Sequence, residues 1–206
     1  MGLIRLGAAA ALLVGVNPYI KVLYPIQQYQ KDAEVIVEGV IESADAQKKT
    51  CVVKVTKVHK GKCPYAHIRM NLAGGGQWHP DAAMRHYVVG ARAILFYKND
   101  TYRKETWRGQ IYSSRFFASL HVKKDAAPET ASWDWENLEI HLNRTFNRTT
   151  EELAAIVAGG LSGKLKPPAP DPGVPEITKD AVLALPPPGV KVDEAKLPAP
   201  FRRAAP

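Results

Sequence analysis

Eleven of the sixteen prolines in this chain of 206 residues fall after Lys164, and that placement bounds what can fold. Proline removes a backbone donor and fixes an extended conformation, so a stretch this rich in it has little means of building a helix or a ladder. Residues 164–206 are therefore expected to be a disordered Pro-rich tail serving as linker, spacer or recruitment segment. What remains is long enough to bury a sizeable core. Its 46% apolar content is ordinary for a globular domain.

The other end sets the compartment. Arg5 precedes an unbroken apolar run from Leu6 to Val16, the order of a secretory signal. A run of that length is short of the ~20 residues a membrane-spanning helix needs, and Asn17-Pro18 interrupts it. Residues 1–20 are read as a signal peptide or an uncleaved N-terminal anchor. The protein is thus expected to be exported: periplasmic, extracellular or tethered to a membrane through its N-terminus.

Between these ends, short apolar runs alternate with turn signals. Glu34–Ser43 is rich in β-branched residues, with Gly39 a bulge or bend. Thr50–His59 and His67–Leu72 alternate in period two; Lys60-Gly61-Lys62 separates them. Ala93–Tyr97 reads as a buried fourth strand and Gln110–His121 as a fifth. Two short helices are expected beside them, Tyr24–Ala33 and Trp78–His86, each with a proline near its start. Residues 21–125 are therefore assigned to a β-rich (α+β) domain, a small antiparallel barrel of about five strands with one inserted helix.

Residues 126–163 are expected to be a helical extension packed on that barrel. Trp135, Leu138, Leu142 and Phe146 follow 3–4–4 spacing, although Leu138, Ile140 and Leu142 also suit a strand. Thr149-Thr150-Glu151-Glu152 is a capping box ahead of the stripe Leu153, Ile156 and Val157.

Asp32 to Val40, Val53 to Gly61, Val88-Val89-Gly90 and Ile94-Leu95-Phe96 together carry a resemblance. In their order the middle of the chain resembles the netrin-like barrels, which include the tissue inhibitors of metalloproteases. The resemblance covers about ninety residues and implies an oligonucleotide/oligosaccharide-binding (OB) type of barrel. Those inhibitors present an N-terminal cysteine to the protease zinc and hold the barrel with several disulfides. Cys51 and Cys63 match neither feature, so protease inhibition is not implied. Trp133–Gly160 and its Pro-rich sequel also resemble segments of exported bacterial proteins, which carries no mechanism.

The two cysteines are expected to be free and partly buried. In a hairpin turning at residues 60–62, Cys51 lies about eight residues beyond the position facing Cys63. That is ~26 Å at ~3.3 Å per residue, against the ~7 Å a disulfide tolerates.

The best candidate for a ligand lip is Trp78, His79, Asp81 and His86, following Gly74-Gly75-Gly76: an aromatic platform, two imidazoles and a carboxylate beside a flexible loop. His79 and His86 share a helical face but stand two turns apart, too far for one metal ion. No metal or cofactor is expected. Ser113-Ser114 lacks a nucleophile context, and Asp134, Glu136 and Glu139 read as one solvated helical face. The remaining histidines, 59, 67, 121 and 141, read as half-exposed surface residues. Asn99, Asn143 and Asn147 each begin a glycosylation acceptor triplet. No catalytic constellation is assigned.

The formal charge of +8 is spread thinly along the chain. These features lead to an exported, non-catalytic binding or interaction module with a protein or glycan partner. A nucleic-acid-binding OB face is the alternative, though its second and third strands offer Lys54, Lys57, His59 and Arg69 without an aromatic to stack bases. A hydrolase using the Trp78–His86 loop is the third reading.

Overall fold

The computed structural model describes residues 24–73, 80–140, 142–143, 145–169, 178–188, 190, 193–197 and 201. The apolar N-terminal run, Trp78, His79 and His141 lie outside them.

Alternation builds a closed barrel of seven strands. They are β1 (Val35–Asp45), β2 (Thr50–Lys60), β3 (His67–Asn71), β4 (Arg92–Asn99), β5 (Thr106–Ser113), β6 (Phe116–Lys123) and β7 (Ser132–Leu138). Around the barrel the order is β1-β2-β3-β7-β6-β5-β4, and β4 returns to β1. Six neighbouring pairs run antiparallel; β3 and β7 run parallel, with Met70 opposite Trp133. The expected bulge at Gly39 is present as a register shift between Glu38 and Gly39. A Cβ there would meet Val53 Cγ1 at 2.5 Å and Lys54 O at 2.6 Å, so the close approach of β1 to β2 requires glycine.

The count of seven corrects the expected five. Residues 110–121 are not one strand but the end of β5, a two-residue turn and most of β6. Ser113 pairs with Phe116, and Ser114 and Arg115 turn the chain at φ 49° and 70°. Tight hairpins of this kind usually announce themselves with Asn-Gly or Asp-Gly; Ser-Arg does not. The seventh strand, β7, falls where helical spacing had been read. Trp133, Trp135 and Leu138 all point inward because the β6–β7 ladder slips between Ser119 and Leu120. That irregularity replaces strict alternation with a spacing that imitates a helix. Of the expected helical extension, α3 (Thr150–Leu161) is realised, with its capping box formed between Thr149 and Glu152.

Helix α1 (Ile26–Asp32) and α3 lie on the outside of the barrel. Helix α2 (Pro80–His86), between β3 and β4, places Ala83 and the following Tyr87 in the interior. Two apolar clusters result. The interior one contains Val37, Ile41, Leu95, Tyr97, Phe116, Trp133 and Trp135. The outer one packs Ile36, Ile94, Phe96, Tyr112 and Phe117 against Tyr29, Leu153 and Val157 of the two helices.

The Pro-rich tail departs from expectation at the residues described. Helix α4 (Lys179–Leu183) is capped by Thr178, and Arg85 donates to Leu183 O at 2.9 Å. Val182, Leu185, Leu197 and Phe201 are 0–2% exposed and join the interior cluster. Proline content bars regular structure only where the prolines fall. The apolar residues between them still have burial to gain. Cys51 is buried, Cys63 half-buried, and both are free as expected.

Candidate functional site

Of the expected lip, the structure describes Asp81 and His86, and it separates them. Asp81 opens α2 with its side chain 84% exposed, 3.3 Å from Lys49 Nζ. His86 closes the same helix at 0% exposure, its ring stacked on Phe116 with centroids 4.6 Å apart. Neither ring nitrogen has a hydrogen-bond partner among the described residues. Burial, with Arg85 beside it, lowers the His86 pKa to about 4. A neutral imidazole inside the barrel cannot line a lip with an exposed carboxylate, so this pair is not a site.

The other sequence candidates are also redistributed. Asp134 and Glu136 sit on a strand rather than a helix: Asn71 Nδ2 donates to Asp134 Oδ1 at 3.1 Å, and Arg103 and Arg108 lie 3.6 and 3.5 Å from Glu136. Ser113 Oγ donates to Arg92 O at 2.8 Å. Asn143 is fully buried and donates to Arg115 O, which removes it from the glycosylation candidates. His59, expected at the surface, has a side chain only 3% exposed.

His59 belongs to a buried charge cluster. Glu38 accepts from Arg92 through Oε1 and stands 2.9 Å from His59 Nε2 through Oε2. Burial pushes the Glu38 carboxyl up, but the hydrogen bonds from Arg92 and His59 outweigh it and hold it below the usual carboxylate range. With both oxygens engaged, the carboxylate pins β1 to β2 and β4. Removing a partner from such a cluster is costly, and its Glu38 and His59 side chains are only 9% and 3% exposed, so the pair serves to hold the strands together.

A cleft of about 300 Å³ opens instead where α1 meets the outer face of β4 and β5. Its position follows from alternation. The outward row of β4 runs Ile94, Phe96, Lys98, and that of β5 runs Tyr112, Gln110, Arg108, paired rung by rung. The apolar half of both rows is covered by the outer cluster; the polar half is not. The cleft lies at the change-over, with Tyr24, Tyr29 and Asp32 on one side and Lys98, Arg108, Gln110 and Glu139 on the other.

The tyrosines are fixed by packing. Tyr24 and Tyr29 meet edge to face at 4.5 Å, and Tyr29 packs on Phe96 and Phe117 at 5.7 and 5.4 Å. Tyr24 Oη donates a short hydrogen bond to Asp32 Oδ2, and Gln28 Nε2 donates to Oδ1 at 2.7 Å. Burial first, and then Asp32, raise the Tyr24 hydroxyl to about 12; burial and Glu139 raise that of Tyr29 well above its ordinary range. Both hydroxyls remain protonated near neutrality. The Asp32 carboxyl is held low, chiefly by the Tyr24 hydroxyl and then by Gln28, with Lys98 3.9 Å away.

The cleft therefore offers an aromatic wall, protonated hydroxyls, an amide and fixed charges of both signs. None of its residues was proposed as a binding residue from sequence; Glu139 was read with Asp134 and Glu136 as part of a solvated helical face. The usable signal was the switch from apolar to polar along two outward rows, which becomes visible only once the β4–β5 register is known.

No family model, curated protein or solved structure matches the chain.

Proposed function

We propose that this chain is a non-catalytic binding module of an exported protein, and that it takes a glycan in the cleft between α1 and strands β4 and β5. The observation that carries this reading is the cleft itself. Half-buried tyrosine beside Gln, Asp, Glu, Lys and Arg is the mixture that polyhydroxylated ligands with one apolar face require. Its volume falls at the small end of the ~300–1,000 Å³ typical of small-molecule sites.

The strand order supports an OB-type barrel enlarged by two strands. β1, β2 and β3 form a meander, β4 closes on β1, the last strand lies parallel to β3, and a helix stands between β3 and β4. Barrels of that type bind oligosaccharides as well as oligonucleotides. The nucleic-acid alternative is weakened by charge pairing on β2 and β3. Lys54 lies 4.0 Å and His67 3.3 Å from Glu42, and His59 is spent on Glu38. Export rests on the charge-then-apolar order of residues 1–16. Among the described residues no helix is long and apolar enough to cross a membrane.

Titrating the isotopically labelled full chain with a panel of short oligosaccharides tests the proposal by amide shifts. Perturbation centred on Tyr24, Tyr29, Lys98 and Gln110 is expected, with Gln110→Leu weakening binding about tenfold through loss of one hydrogen bond. Shifts confined to β2 and β3 on adding single-stranded oligonucleotide, with none from sugars, would move the function to the other face of the barrel.

A further inference from the structure

The charges around the cleft cancel locally, and this narrows the ligand more than shape does. Lys98 and Arg108 stand directly opposite each other across the β4–β5 ladder. Like charges in that relation destabilise a sheet unless each is neutralised. Asp32 answers Lys98 at 3.9 Å, and Glu136 answers Arg108, with Oε2 3.5 Å from Nε. Glu139 adds a second carboxylate to the lining, so the lining holds two cations and two anions. Asp32 stays ionised because Tyr24 and Gln28 already donate to it.

We propose, on the glycan reading given above, that the cleft is built for neutral sugars and discriminates against uronates and amino sugars. The recognition unit is a pyranose ring with its apolar face against the half-exposed ring of Tyr24. Its hydroxyls reach Gln110 and the Lys98–Asp32 pair. A hydroxyl suits that pair because its oxygen accepts from the ammonium while its proton is donated to the carboxylate. The separation of 3.9 Å is longer than a tight charge-assisted bond and leaves the pair open to such bridging. A carboxylate drawn to Lys98 or Arg108 meets Asp32 or Glu139 in the same small space, and an ammonium drawn to either acid meets the two cations. Like-charge juxtaposition of that sort is how a site rejects a ligand of otherwise correct shape.

The test uses the full chain and matched disaccharides: galactobiose against digalacturonic acid, and N,N′-diacetylchitobiose against its deacetylated, cationic form. Each is titrated calorimetrically and by amide shifts at low and at high salt. The neutral member of each pair is expected to bind at least about tenfold tighter than its charged counterpart. Its affinity should not change with salt, since screening acts on charged ligands. Asp32→Asn leaves Lys98 and Arg108 without one of their counter-charges. That variant, checked for an unchanged melting temperature, should lose affinity for the neutral sugars and gain it for the uronate. Tighter, salt-sensitive binding of digalacturonate to the unaltered chain would overturn the neutral-sugar assignment while leaving the glycan reading in place. Absence of shifts at Tyr24, Lys98 and Gln110 with all four sugars would overturn both.

Discussion

The two apolar clusters of this barrel treat their polar atoms in opposite ways. Inside, Tyr87 Oη, Trp133 Nε1, Trp135 Nε1 and both nitrogens of His86 are buried without a hydrogen-bond partner among the described residues. Around the outer cluster, polar groups reach across to backbone. Tyr112 Oη donates to Arg148 O at 2.6 Å, Gln30 Nε2 to Val157 O at 2.9 Å, and Thr145 Oγ1 to Tyr24 O at 3.1 Å. The interior is specified by volume and aromatic contact, the exterior by hydrogen bonds that set where α1 and α3 sit. The cleft lies on the exterior layer, beside the bonds that fix α1 and α3. Changes inside should therefore cost stability, and changes outside should cost geometry.

Trp133→Ala should show the largest effect. The ring is fully buried, 5.2 Å from Tyr97 and 6.3 Å from Tyr65, and it fills the space left by Gly109. Truncating a buried Trp costs about 3–5 kcal/mol, read as a lower urea midpoint at unchanged slope. The same packing predicts a coupling. A Cβ at Gly109 would lie 2.9 Å from Trp133 Cζ3, so Gly109→Ala should destabilise the unaltered chain by about 1–3 kcal/mol and far less once Trp133 is Ala. Simple additivity of the two would contradict an interior set by volume.

This division also explains what was legible beforehand. Strands β1 to β4 and helices α1 and α2 could be read because alternation and prolines mark them directly in residues 24–97. The capping box at Thr149 was equally plain. The Ser114–Arg115 turn could not be read, because its left-handed backbone is imposed by pairing on both sides rather than by Gly or Asn. β7 was hidden by the slip opposite Ser119 and Leu120, and the tail by a composition that conceals Val182, Leu185, Leu197 and Phe201. The cleft was invisible for a different reason. Its residues come from α1 and Tyr24 just before it, from β4 and β5, and from the segment after β7, and only barrel closure brings them together. His86 was misread because a histidine at the end of a short helix looks the same whether it faces water or Phe116.

His86 supplies the next prediction. Its pKa falls from about 6.5 to about 4 through burial and then Arg85, so the folded state resists a proton that the unfolded chain accepts. Stability is then complete above pH ~6.5, falls as pH drops toward ~4, and levels off below that. At ~1.36 kcal/mol per unit the loss is about 3 kcal/mol. Glu38 behaves otherwise: its depressed carboxyl pKa stabilises above the unfolded carboxylate range, and that contribution is lost only as pH falls through the lower folded value. His86→Phe should therefore remove the decline between pH 6.5 and 4 while leaving the steeper acid loss below it. It keeps the stack on Phe116 and deletes two unpartnered nitrogens, so at neutral pH it should be neutral or stabilising. A variant that unfolds at neutral pH would mean the imidazole has a partner, and the contrast between the layers would fail at its best interior example.

Tyr112→Phe is the smallest change and the sharpest test of the outer layer. The ring remains packed against Phe117 and Phe146, at 6.0 and 5.7 Å, and only the hydroxyl is lost. Burial raises that hydroxyl far above its ordinary range, so it is always protonated and always donates to Arg148 O. Arg148 immediately precedes the Thr149 cap of α3, and losing this bond should cost about 1 kcal/mol. The cost should appear locally. Amide exchange is expected to quicken in the first turn of α3 while β5 and β6 keep their protection, because the barrel does not depend on that bond. Uniform quickening through the strands would instead mean that the two layers open as one unit, and that the hydrogen bonds at the rim hold the barrel as much as its aromatic interior does.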